Sequence, residues 1–86
     1  MELRVSSKTE PRKLAGAIYQ ALKQNGGEVC LRVIGAGAVN QAVKGVAIAR
    51  GFAAPEGANL KIVPGFKDAD DDGKQKTAIS LNVFWK

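Results

Sequence analysis

The sequence has no histidine and a single cysteine. Without histidine, the commonest zinc ligand and the commonest general base are both missing. With Cys30 alone, no disulfide can close within the chain, which fits a reducing compartment. Its place inside the apolar run "EVCLRVI" reads as that of a small buried hydrophobe. No apolar run approaches the roughly 20 residues of a membrane helix, and the opening "MELRVSSKTEP" lacks the apolar centre of a signal peptide. A cytoplasmic protein with no membrane partner is therefore expected. Acidic residues are scarce beside basic ones: 8 Asp plus Glu against 13 Lys plus Arg leave a net charge of +5. Such a field draws phosphates and acidic surfaces, and the position of the cations decides which. Serines, Cys30 and carboxylates are present, but no base is placed to activate a nucleophile and no acid pair falls in a recognisable motif. Neither enzymatic activity nor a small-molecule substrate is expected.

What is present fits one domain spanning residues 1–86, the size of a single modest core, with no internal repeat, low-complexity tract or linker. Leu3 and Val5 alternate with Glu2, Arg4 and Ser6, the period of a half-buried strand. After "SSKTEP", with Thr9 or Glu10 as N-cap and Pro11 in the first turn, Leu14, Ala17, Ile18, Ala21 and Leu22 recur at helical spacing until Gly26 and Gly27 end the helix. In "EVCLRVI", Val29, Leu31 and Val33 share one strand face, opposite Glu28, Cys30, Arg32 and Ile34. A second helix follows Gly37, with Val39, Ala42, Val43, Val46 and Ala49 as its apolar stripe, and is expected to stop near Gly51. Asn40, Gln41 and Lys44 fall off that stripe. Leu60 and Ile62, then Ile79, Leu81, Val83 and Trp85, form a hairpin joined through "KDADDDGKQ", with Gly65 after Pro64 marking a bulge or an edge. The order βαβαββ, with the apolar strand residues on one face and Glu2, Arg4, Arg32, Lys61, Ser80 and Asn82 on the other, predicts an α+β two-layer sandwich: a four-stranded mixed sheet with two helices on one face.

The stretch "VIGAGAVNQAVK" admits three readings. A dinucleotide fingerprint would need glycine or alanine where Asn40 stands, and a larger sheet than this chain can build. A Walker loop would need Gly-Lys-Ser/Thr after Gly37. No cofactor is expected. Gly35 and Gly37 could simply permit a sharp strand-to-helix turn. The third reading uses both helix starts: if the first two strands are parallel neighbours joined by a right-handed crossover, "SSKTEP" and "GAGAVNQ" lie side by side. Two helix N-termini then point the same way and form an anion site, with Ser7, Lys8, Thr9, Asn40, Gln41 and Lys44 as adjacent donors. Arg12 and Lys13 oppose the first helix's dipole, a placement that a bound anion would compensate; a solvated helix face is the alternative.

"DADDDG" sets Asp68, Asp70, Asp72 and Gly73 at the first, third, fifth and sixth positions of a calcium loop. Ile79 stands where the bidentate glutamate belongs, and strands flank the segment, so an acidic hairpin tip without metal is expected. Lys74 and Lys76 beside it remain candidates for a phosphate backbone.

The segments "GAGAVNQAVKGVAIARGFAAP", "VSSKTEP" and "DGKQKTAISLNV" resemble the stage V sporulation protein S family over almost the whole chain. That family in turn resembles the Alba chromatin proteins. The resemblance implies an Alba-like fold, dimerisation or higher homo-oligomers, and nucleic-acid binding, to DNA or RNA, through the loop after the first strand, the loop before the second helix, and the hairpin arms. By position, Lys8 matches the basic first loop, and Gly35, Gly37, Asn40, Gln41 and Lys44 match the second. Two features depart from the Alba pattern: Ser7 precedes Lys8 where a lysine pair is usual, and small residues replace the second loop's arginine. The acidic tip also argues against gripping of the minor groove by the arm. A phosphate-contacting regulator is the expectation, with a protein-interaction adaptor acting through the second helix as the alternative.

Overall fold

The computed structural model describes residues 1–71 and 74–86, and of residues 68–71 and 74–76 the backbone alone. The elements are β1 (Glu2–Val5), α1 (Pro11–Gln24), β2 (Glu28–Val33), α2 (Ala36–Ala53) with a single 3-10 turn at Ala54–Glu56, β3 (Leu60–Asp71) and β4 (Lys74–Trp85). The sheet order is β1-β2-β4-β3, with β1 and β2 parallel and the other pairs antiparallel. Both helices cover one face, so the α+β sandwich stands as the alternation implied, and the first pair is parallel, as the crossover rule favours.

Three apolar rows cross that face: Leu3, Leu31, Leu81 and Pro64; Val5, Val33, Ile79 and Phe66; and Val29, Val83 and Ile62. Leu31, Val33 and Val83 are wholly buried. Against them α1 sets Leu14, Ala15, Ile18, Ala21 and Leu22. Pro11 opens this helix where its missing N–H costs nothing, and Glu10 is its N-cap. The helix closes on a left-handed pair, Gly26 (φ 68°) and Gly27 (φ 86°), with the Gly27 amide donating to the Leu22 carbonyl at 2.8 Å. Ala17 is exposed and Ala15 takes its place in the stripe.

The face of α2 departs from the expected stripe. Ala38, Ala42, Gly45, Val46, Ala49 and Ala53 are buried, and Val43 is 48% exposed. The reason is proximity. A Cβ on Gly45 would stand 2.7 Å from Leu14 Cδ2, so the helices meet across a face of small residues and the branched Val43 is turned outward. The helix also starts at Ala36, one residue before Gly37, and runs past Gly51 to Ala53.

Pairing of β3 with β4 is unbroken from Leu60↔Trp85 to Asp71↔Lys74, so Pro64–Gly65 marks an edge and not a bulge. Proline is tolerated there because β3 is the sheet's outer strand. Most of the segment expected as a connecting loop is strand. Beyond Lys67↔Ala78 the hairpin runs on past the ends of β1 and β2 as a two-stranded arm, consistent with a long axis of 44 Å.

At the opposite end, Tyr19 and Lys23 on α1 both donate to Glu56, and Lys23 Nζ lies 5.1 Å and 5.7 Å from the ring centres of Tyr19 and Trp85. Hydrogen bonds from Lys23 and then Tyr19 hold the Glu56 carboxyl below the usual range, and the Glu56 bond raises Lys23. A lowered carboxylate stabilises fully above its unfolded pKa and loses that contribution as pH falls through the folded one; the raised lysine loses its share only in alkali. Glu56→Gln should therefore flatten the fall of the urea midpoint between about pH 5 and 2. An acid limb identical to that of the parent protein would show that the pair contributes nothing.

Candidate nucleic-acid interface

Val5 pairs with Val33 in the parallel register, so the chain leaves β1 and β2 side by side at one end of the sheet. Each strand feeds a helix from there. The first loop is held by its own hydroxyls: the Ser6 amide donates to Thr9 Oγ1 at 2.8 Å, the Thr9 amide to the Ser6 carbonyl at 3.1 Å, and the Lys8 amide to Ser6 Oγ at 3.2 Å. This turn presents Ser7 and Lys8 to solvent. The second loop turns at Gly35, whose φ of 90° favours glycine, and enters α2 directly.

The two loops touch. A Cβ built on Gly37 would lie 2.8 Å from Ser7 Cβ, so only glycine fits without displacing the neighbour. Gln41 Nε2 donates to the Thr9 carbonyl at 2.9 Å, a part-buried bond that ties α2 to the first loop. Gln41 thus spends its amide on holding the loops together. Asn40 and Lys44 remain exposed on the outer side of α2.

Neither helix start has a side-chain cap or an acidic residue in its first turn. The first helical bonds are Leu14 N–H to the Glu10 carbonyl and Val39 N–H to the Gly35 carbonyl. The amides of Arg12 and Lys13, and of Ala36, Gly37 and Ala38, consequently lie ahead of the intrahelical ladder, where the dipole favours an anion. Arg12 and Lys13 are exposed, Lys13 Nζ being 3.8 Å from Glu10 Oε2. A shallow groove of 470 Å³, lined by Glu10, Pro11, Arg12, Lys44, Ala47 and Ile48, joins the start of α1 to the flank of α2. Its mouth carries Arg12 and Lys44, and its floor is apolar. Ile48 is half-buried and packs on the core from this groove.

Ser7, Lys8, Thr9, Arg12, Lys13, Gly35, Gly37, Asn40, Gln41 and Lys44 thus gather at one end of the molecule. The side chains of Lys74 and Lys76, and of Asp68, Asp70 and Asp72, lie outside the described residues. Sequence reading missed a second charged group, Glu2 with Arg32 and Lys67, on the open sheet face. Its only signal was the polar side of the strand alternation. Among the described residues no cluster of three or more metal-ligating side chains occurs, and no helix is long and apolar enough to cross a membrane.

The fold is similar to that of Alba from Thermoplasma volcanium, with a TM-score of 0.65 over 98% of this chain and 99% of that one, at 15% sequence identity. At that identity the likeness concerns architecture. The family model for stage V sporulation protein S matches residues 1–86, the same span that carries the paired loops and the βαβαββ order. The chain belongs to the stage V sporulation protein S family.

Proposed function

We propose that this protein is a non-enzymatic, sporulation-related regulator that binds nucleic acid as a homodimer or higher homo-oligomer. In this reading it contacts phosphates through the β1–α1 loop and the N-terminus of α2. The observation that carries the reading is the packing of Gly37 against Ser7, which brings two uncapped helix starts together beneath Lys8, Arg12, Lys13 and Lys44. Backbone amides and long cations suit phosphate oxygens and read no base edges, so binding should be tolerant of sequence. Asn40 adds a neutral donor beside them. The Alba-like architecture supports the same reading, since that resemblance implies nucleic-acid binding through these loops.

In a salt series on duplex DNA, duplex RNA and single strands, Lys8→Ala and Lys44→Ala should each reduce the slope of log affinity against log salt by about 0.9 on duplexes. Asn40→Ala should lower affinity and leave the slope nearly constant. Stability should barely change in any of the three, because all are exposed. Unchanged affinity and slope in all three, with the fold intact by circular dichroism, would remove these loops from the interface.

A second reading, a protein-interaction adaptor, draws on α2, where Val43 and Phe52 are 48% and 46% exposed and Ala47 and Ile48 line the groove. Salt separates the two readings. Phosphate contacts weaken steeply as salt rises, and an apolar interface does not.

A further inference from the structure

Among the described residues no helix lies over the second face of the sheet. Arg4, Arg32, Lys61 and Lys67 lie on it, with Glu2 and Glu28 as its carboxylates among the described residues. Its geometry is not that of a flat sheet. Glu2 is on β1 and Lys67 on β3, the two outer strands, which three strand spacings would set roughly 14 Å apart before any offset along the strands. Yet Lys67 Nζ donates directly to Glu2 Oε2, and Arg32 Nη1 lies 3.7 Å from Glu2 Oε1. The side chains of two positions on diagonally opposed parts of the outer strands meet, so twist has made the open face concave along this diagonal.

Ala78, paired with Lys67 on this face, is fully buried although none of the described elements covers it, in keeping with that concavity. The floor beside it is made of small groups: a Cβ on Gly65 would lie 3.1 Å from Ser80 Oγ, so backbone and hydroxyl line the trough between the cations. A strand of phosphates could approach that floor closely. One carboxylate at its centre engages two cations and offsets one of their two charges. The hydrogen bond from Lys67, aided by the charges of Lys67, Arg32 and Arg4, holds Glu2 below the usual carboxylate range, so it stays charged at neutral pH.

We propose that this concave face is a second nucleic-acid backbone site, in which the Glu2 carboxylate occupies Arg32 and Lys67 until a phosphate displaces it. The proposal rests on the nucleic-acid reading above and extends it to residues outside the loops. Lys67 stands at the base of the hairpin arm, level with the end of β1, so a strand held at the loops lies within reach of the trough. Glu2 then acts as an internal competitor that lowers resting affinity and holds the arm base toward β1.

The test compares the parent protein with Glu2→Gln, Glu28→Gln, Lys67→Ala and Glu2→Gln/Lys67→Ala by fluorescence anisotropy on a labelled single strand and a labelled duplex across a salt series. Glu2→Gln should bind about fivefold tighter at low salt, with a slope steeper by about one on duplex. Glu28→Gln makes the same change in net charge on the same face without releasing a cation, and should give a much smaller gain. Lys67→Ala should bind more weakly than the parent, and the double variant should lose the gain. Equal effects of Glu2→Gln and Glu28→Gln, or no effect of either, would overturn the proposal. If that happens while Lys8→Ala and Lys44→Ala still weaken binding, the loop reading stands alone. A gain in Glu2→Gln that ignores the loop substitutions retains the trough and discards the loops. Absence of binding by every variant discards both.

Discussion

Leu31→Ala is expected to lower the unfolding free energy by about 2–5 kcal/mol, the range for deleting a buried leucine side chain. Leu31 is wholly buried, on an inner strand, with Leu3 and Leu81 directly across on either side. The surrounding positions are fixed by hydrogen-bonded neighbours, so the cavity has little means of collapsing and the loss should fall toward the upper part of that range. Small domains have only about 5–15 kcal/mol in total, so the variant should be partly unfolded near 37 °C. Urea denaturation checks this, with Val43→Ala as the companion. Because Val43 is half exposed on the outward side of α2, its loss should stay within about 0.5 kcal/mol. Comparable losses at the two positions would mean that the core is not where this structure puts it.

That pair of residues also shows what the sequence could and could not disclose. Period-two alternation needs only the residue types, and it correctly separated Leu3, Val29, Leu31, Val33, Leu81 and Val83 from Glu2, Arg4, Arg32 and Ser80. The face of α2 was harder. Hydrophobicity alone favours Val43 over Gly45, but the inward face is chosen by how closely α1 approaches, and Leu14 leaves room there only for glycine. Such a choice depends on two elements at once. Likewise the acidic residues after Lys67 read as a loop by composition, whereas cross-strand pairing carries both strands through to Asp71 and Lys74.

The site divides in the same manner. The adjacency of the two loops followed from a parallel β1–β2 pair, which the crossover rule anticipates. The role of Gln41 did not follow, because its partner is a main-chain carbonyl 32 positions earlier. The Glu2–Lys67 pair spans 65 positions and exists only because the sheet curls. Pattern reading places both residues on the polar face and has no way to measure the distance between them. The loops lie at the end of the molecule from which the hairpin arm extends, and Lys67 stands at the base of that arm, so phosphate contacts at the loops and at the trough would lie along one path.

Gly37→Val should test whether the loops act as one surface. Its Cβ would meet Ser7 Cβ at 2.8 Å and Ser7 Cα at 3.6 Å, so the first loop must move outward. Overpacking of this kind costs about 1–3 kcal/mol, and because Ser7 is exposed the loop yields in part. The remainder of the effect should appear as weaker nucleic-acid binding with little change in salt slope, since no charge is altered. A double-mutant cycle isolates the contact. Gly37→Ala alone should weaken binding and stability, partly offset by the better helix propensity of alanine, worth up to about 1 kcal/mol. Ser7→Gly removes the atom that the new methyl strikes, leaving only the Cα at ordinary contact distance. Combined with Ser7→Gly, Gly37→Ala should therefore cost much less than it does alone, a coupling of about 1 kcal/mol in stability and a matching recovery in affinity. Additive effects, with no recovery in either measurement, would show that the two loops do not touch and that the paired helix starts are not one anion site.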